Sequence, residues 1–188
     1  MLADENKKIT FEEFLRIDEK TEEQLEYIDG VIYNQASPST DHQRIVSRLH
    51  LALGNYFYGK TCEAMVSPYD IILKNEKEKH KIQPDISIIC DEKGFTKNNY
   101  VGSPTLVIEV LSPSTSSRDL ITKMNLYMRF GIKEYWIVSP KNKEIQIYNF
   151  EDCQLKQELT TYRNNEILFS NIFENLKIDL SKIFPPVQ

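Results

Sequence analysis

Apolar positions along this chain change period most clearly between Pro104 and Pro140, PTLVIEVLSPSTSSRDLITKMNLYMRFGIKEYWIVSP. Residues 105–111 form a short apolar run, β-branched at Thr105, Val107, Ile108 and Val110 and bounded by turn signals, which predicts a strand buried on both faces. Ser116 or Ser117 as N-cap and Gly131 as the stop then frame a helix over 118–130. Within it Leu120, Met124 and Tyr127 recur at spacings of three and four on the inward face, with Lys123 beside that stripe and bordering the core. The aromatic and β-branched run 134–139 reads as a further interior strand. Strand, helix and strand in such short order predict a right-handed crossover with the two strands parallel.

The flanking chain is read in the same way. Thr10 and Glu13 form a capping box before FEEFLRI and predict a helix over 11–17. Asp29-Gly30, between LEYI and VIYN, predicts a two-residue hairpin turn, with Glu26 on its first arm as a solvent-facing carboxylate. Ile45, Val46, Leu49, Leu53 and Phe57 keep helical spacing until Gly59, and His42 and His50 on that helix, with no HExxH pattern, read as surface or capping histidines. Strands follow at 62–66 and 69–73, separated by Ser67-Pro68, and KNEKEKHK reads as a solvated turn. Pro84-Asp85 opens the strand ISIIC, DEKGFTKNNYVGS is a polar loop, and the segment after Pro140 is a β-hairpin turning at Glu151-Asp152. Residues 167–184 predict a short strand and a terminal helical turn that complete the sheet or a dimer surface.

Composition narrows the class. The 188 residues suit one domain over 9–188 behind a flexible N-terminus of residues 1–8. No apolar run approaches the ~18 residues of a membrane span and the polar start lacks a signal-peptide core, so a soluble, cytoplasmic protein without membrane contact is expected. Cys62, Cys90 and Cys153, odd in number and widely spaced, read as reduced, small core residues. With 23 Lys and Arg against 28 Asp and Glu, a net charge of −5 argues against simple coating of DNA.

One residue in the central strand is out of place for a core. Glu109 needs a partner or a cation, because an unpaired buried carboxylate costs several kcal/mol. Asp85 alone reads as an ordinary turn aspartate after proline. Yet it opens a strand that can neighbour the strand of Glu109, and Lys123 projects from the helix that follows. Two converging carboxylates call for a hard cation, and Mg²⁺ (or Mn²⁺) with oxygen ligands is the chemistry of phosphodiester hydrolysis. Asp85, Glu109 and the carbonyl of Val110 would hold the ion. Lys123 would orient or deprotonate the attacking water and offset phosphate charge, and the helix start after Ser112-Pro113-Ser114 would add an anion site. Two other readings compete: a catalytically silent fold that binds nucleic acid or a protein partner, and a purely structural Glu109–Lys123 ion pair.

These residues also carry a resemblance. Pro84-Asp85, EVLSPST at 109–115, the Asp119, Lys123 and Tyr127 helix and GIKEYWIVSP at 131–140 resemble the Uma-type restriction endonuclease family of the PD-(D/E)xK nuclease superfamily, and the likeness covers most of the chain. The resemblance implies an α/β, restriction-endonuclease-like core, a four-stranded mixed β-sheet flanked by helices, here with an added N-terminal hairpin and C-terminal β-hairpin. It implies a divalent-metal site at Asp85 and Glu109, DNA as substrate and often a homodimer. The superfamily's lysine two residues after the glutamate is Leu111 here, so the resemblance implies that Lys123 supplies the amine. It also raises Glu26 and His42 to candidate active-site members, Glu26 as an extra carboxylate for the metal. Restriction activity is implied by the family's name alone.

Overall fold

The structure, a computed structural model, describes residues 8–35, 37–112, 118–156 and 159–184, the side chains of 118–120 excepted. The expected flexibility of 1–8, the N-cap at Ser116 or Ser117 and the anion site after Ser112 therefore fall wholly or partly outside the described residues.

In chain order the elements are α1 (Phe11–Asp18), β1 (Leu25–Ile28), β2 (Val31–Asn34), α2 (Thr40–Phe57), β3 (Glu63–Val66), β4 (Asp70–Lys74), β5 (Lys79–Ile82), β6 (Ile86–Ile89), β7 (Asn99–Val101) and β8 (Leu106–Val110). A π-helical stretch, Arg118–Lys123, runs into α3 (Met124–Arg129). β9 (Glu134–Ser139), β10 (Glu144–Glu151), β11 (Gln154–Leu155), β12 (Thr160–Arg163), β13 (Ile167–Phe169) and β14 (Lys177–Asp179) follow. Local chemistry sets the ends of several of these. Both bonds of the capping box at Thr10 and Glu13 are made, and Asp29 and Gly30 take φ of 52° and 88°, the two left-handed positions of a type I′ turn.

The central sheet runs β11-β10-β9-β8-β6-β3, with β12 also on β10. Its mixed middle is four strands: β8 and β9 pair in parallel, while β6 lies antiparallel to both β8 and β3. The parallel pair is the expected crossover. Strict alternation then assigns the faces. Leu106, Ile108 and Val110 of β8 meet Ile45, Leu49 and Leu53 of α2 in one core, and Val107 of β8 joins Leu126 and Tyr127 of α3 and Ile71 and Ile82 of a second sheet in the other. Each buried aliphatic side chain contributes roughly 1.5–3 kcal/mol, so β8 is clamped from both sides. By the same alternation Glu109 faces α3 and the second sheet, away from α2.

That second sheet, β2-β1-β5-β4-β7, is larger than the expected N-terminal hairpin. Two polar segments supply its extra strands. KNEKEKHK turns only between Lys74, the last residue of β4, and Lys79. Its end is β5, where His80 and Lys81 are buried because Glu78, Asp29 and Asp18 pair with them. The loop DEKGFTKNNYVGS contains β7, anchored by buried Tyr100. Charged residues that find partners on α1 and in the β1–β2 turn defeat a reading based on polarity alone. The C-terminal run likewise holds two strands, β13 and β14, and a 3-10 turn at Leu180–Lys182.

The cysteine reading is corrected. Cys62 and Cys90 are bonded to each other with their Cα atoms 4.0 Å apart, and Cys153 is free and exposed. The cause is register: Glu63 pairs with Ile89 across β3 and β6, which sets residues 62 and 90 opposite each other. Spacing along the chain carries no trace of that pairing. Among the described residues no helix is long and apolar enough to cross a membrane.

Candidate active site

β6 and β8 are neighbours, and Ile86 pairs with Ile108, so Asp85 and Glu109 stand at the same end of the sheet. Asp85 Oδ2 accepts the backbone N–H of Val110 at 2.7 Å and lies 3.2 Å from Nε2 of His42, in the first turn of α2. In an extended strand the N–H and C=O of one residue point to the same side, so the Val110 carbonyl also faces the side of Asp85. Asp85 Oδ1 has no hydrogen bond among the described residues and remains available as an oxygen donor.

Glu109 sits deeper, 4 % exposed. Its Oε1 accepts from Lys123 Nζ at 2.8 Å and from the Tyr127 hydroxyl at 2.7 Å. Lys123 and Tyr127 are four apart on one helix and reach the same atom. The sequence set Lys123 beside the inward stripe; the π-helical turn that ends at Lys123 places it fully inside, 2 % exposed. Burial, and next the negative charge of Glu109, push the Tyr127 phenol well above its ordinary value, so the hydroxyl is a fixed donor.

Glu26 is a correction to the pattern reading. It is fully buried, not solvent-facing, and its Oε1 lies 3.0 Å from Lys123 Nζ and accepts the Gln83 backbone N–H at 2.9 Å. Its burial follows from its place in the fold: β1 is buried on both faces, and Glu26 shares a face with Ile28, which lies in the core between the sheets. His42 is likewise buried and beside Asp85, not a surface histidine. His50 instead contacts the Ala64 carbonyl at 3.1 Å.

His42, Gln83, Asp85, Glu109, Val110 and Lys123 line part of a cleft of about 560 Å³. Gln83 is a residue that sequence reading missed. Its backbone holds Glu26, its carbonyl accepts from Gln35 at 3.0 Å, and its side chain donates to Asp70 Oδ1 at 2.6 Å. Asp70 in turn contacts Lys81, which Asp18 holds at 2.7 and 2.9 Å. The polarity of Gln83 just before Pro84-Asp85 was its signal.

A second group of possible metal donors, Asp29, Glu78 and His80, brings ligand atoms within 4.8 Å of one another. A cation already lies there: Arg129 contacts Asp29 at 2.8 Å and Glu78 at 3.2 Å. Each set lines a cleft and has a cation on it, Lys123 on Glu109 and Arg129 on Asp29 and Glu78. Asp85 and Glu109 differ in offering carboxylate oxygens alone, the donors a hard divalent ion takes.

The mixed sheet, with Asp85 and Glu109 on adjacent strands at one end, has the restriction-endonuclease-like α/β fold that the family resemblance implies. The chain belongs to the Uma2 family, described as "Putative restriction endonuclease", which it matches over residues 11–181. It is 34 % identical over 146 residues to the uncharacterised protein slr1290 of Synechocystis sp., covering 77 % of this chain and 76 % of that one. A second Synechocystis protein, sll1609, also uncharacterised, is 30 % identical over 141 residues, covering 73 % and 78 %. In fold the chain is similar to a crystal structure from Anabaena variabilis described as a putative nuclease belonging to DUF820, with a TM-score of 0.77, 23 % identity and 94 % and 97 % of the two chains covered. The family's description points to a nuclease, and the crystal structure shows the shared fold.

Proposed function

We propose that this protein is a Mg²⁺- or Mn²⁺-dependent endonuclease that hydrolyses phosphodiester bonds in DNA. The observation that carries the reading is the convergence, in one cleft, of Asp85 and Glu109 from adjacent strands with the Lys123 ammonium on Glu109. It also answers the absence of a lysine at Leu111, since an amine from the helix reaches the same glutamate.

Asp85, Glu109 and the Val110 carbonyl hold the ion, which when bound supplies charge neutralisation for the phosphate and a more acidic water. His42 and the Val110 N–H fix the rotamer of Asp85. Tyr127 fixes Glu109. Lys123 orients the attacking water and offsets the charge that builds on the phosphate oxygens as the new P–O bond forms and the leaving oxygen departs. Glu26, held by the Gln83 N–H, anchors Lys123 from behind and serves as a further carboxylate of the site. Assembly as a homodimer goes with this reading through the family resemblance, and a cytoplasmic location is proposed with it.

The test is cleavage of labelled DNA by the wild type and by Asp85→Asn, Glu109→Gln and Lys123→Ala, with Mg²⁺, Mn²⁺ or EDTA. Metal-dependent cutting that all three substitutions abolish supports the reading. Folded wild-type protein that neither cuts nor binds Mn²⁺ in calorimetry would replace it with the silent-binder reading.

A further inference from the structure

The cleft does not end at its carboxylates. Pro38 and Gln43 on its rim are shared with a shallow depression along the outer side of α2, lined also by Arg44, Ser47 and Arg48. Arg48 is shared in turn with a groove of about 670 Å³ between α2 and the β13–β14 hairpin. Lys177 and Lys182 edge that groove, and its floor is apolar: Leu51, Ile167 and Phe169, the last 51 % exposed. The only carboxylates paired with these cations among the described residues are Asp41, on Arg44, and Asp179, on Lys182. So a chain of net charge −5 gathers an excess of cations along one path that starts at the candidate active site.

We infer that this path holds a single strand of nucleic acid leaving the cleft, with phosphates on Arg44, Lys177 and Lys182 and unpaired bases against Phe169 and Leu51. The inference rests on the nuclease reading and names the form of its substrate. Cations at the edges with an aromatic floor form a surface for single strands, whose backbone needs charge and whose exposed bases need a stacking face. A duplex hides its bases and leaves that floor with nothing to cover it. A second copy of the chain would bring like charges together across the symmetry axis. Recessed carboxylates favour the same choice, because a flexible strand dips to Glu109 more easily than a stiff duplex. From Gln43 to Asn55 the helix offers about 18 Å of track.

The Lys182 and Lys177 side chains are exposed and Arg44 is half-exposed, so the triple variant Arg44→Gln/Lys177→Gln/Lys182→Gln is a surface change. Binding of fluorescent oligothymidylate in EDTA is measured across a salt series. The salt slope should fall in magnitude by roughly 2, about 0.7 for each phosphate contact removed. Phe169→Ala should weaken binding about tenfold and leave the slope unchanged. An unchanged slope in the triple variant, or a duplex that binds as tightly and loses affinity equally in Phe169→Ala, overturns the inference. So does an acidic peptide that displaces the strand while nucleic acid itself shows no salt slope. Hydrolysis of bis(p-nitrophenyl) phosphate by the wild type with Mn²⁺ separates the two claims: this ester is too small to reach the track, and failure to hydrolyse it strikes the nuclease reading while the binding result stands.

Discussion

Lys81 and Lys123 each bring a buried ammonium between two carboxylates from different elements, Asp18 and Asp70 for the first and Glu26 and Glu109 for the second. The difference lies in the carboxylates. The side chains of Asp18 and Asp70 keep 20 % and 30 % of their surface, whereas Glu26 keeps none and Glu109 only 6 %. Water can therefore take over much of what Lys81 does, and that cluster reads as a clamp between α1 and the second sheet. At Lys123 three charges are held almost dry at the back of an open cleft, an arrangement with a steep desolvation cost that stability alone does not require. The two clusters are joined through Asp70, Gln83 and Glu26, so the clamp also braces the site.

The comparison breaks first on activity. Glu109→Gln and Lys123→Ala should each lower metal-dependent DNA cleavage by at least about 10³-fold, or roughly 4 kcal/mol of transition-state stabilisation. Lys81→Met should keep cleavage within a few-fold of wild type at a temperature where it is folded. An equal loss in both lysine variants would make Lys81 part of the chemistry and end the distinction.

Stability should separate the lysines in a different way. In metal-free urea unfolding, Lys123→Met leaves two carboxylates facing each other without water and should lose about 3–5 kcal/mol. Lys81→Met, whose carboxylates hydrate, should lose about 1 kcal/mol. Glu26→Gln keeps an acceptor for Gln83 and Lys123 and leaves one ammonium to one carboxylate, so it should fall within about 1 kcal/mol of wild type.

What the sequence could show follows the same divide. The crossover of β8, helix and β9 was legible because its apolar runs are long and its ends are marked, and Glu109 stood out as the one charge inside such a run. Asp85 was legible only through its strand being able to neighbour that of Glu109. Glu26, His42 and β5 were not, because each is a polar residue or segment buried by partners far along the chain: Lys123, Asp85 and Asp18 respectively. A pattern of polar positions reports exposure only when nothing pairs with them. The Cys62–Cys90 bond failed to show for the same reason, since strand register sets it.

Metal should sharpen the contrast by a smaller amount. Mn²⁺ at about 100 times its dissociation constant adds roughly 2.7 kcal/mol to a protein that binds it only when folded. Thermal unfolding should therefore shift upward by about 5–10 °C in wild type and in Lys81→Met, and return with EDTA. Asp85→Asn/Glu109→Gln should show no shift. A shift that survives this pair but is lost in Glu78→Gln would move the ion to the group around His80.

That group supplies the smallest and most selective test, because there the cation is an arginine near the surface. His80 is buried, and its Nδ1 accepts the Asp29 N–H at 3.3 Å while Nε2 lies 3.0 Å from Glu78, so the neutral ring carries its proton on Nε2. A second proton would face that N–H. Burial above all, with the Arg129 charge adding to it, holds the imidazole below its ordinary value of 6.5 despite Glu78 and Asp29. With the folded value depressed, the unfolded chain takes up the proton first as pH falls below 6.5, so stability present above that pH is lost through the window beneath it. Urea unfolding at pH 7.5 and pH 5.5 should show this loss in wild type and a smaller one in His80→Gln, with Lys81→Met matching wild type in slope. A steeper loss in His80→Gln would mean that the ring is charged in the fold, and that this cluster, like the one at Lys123, is held together by a buried cation.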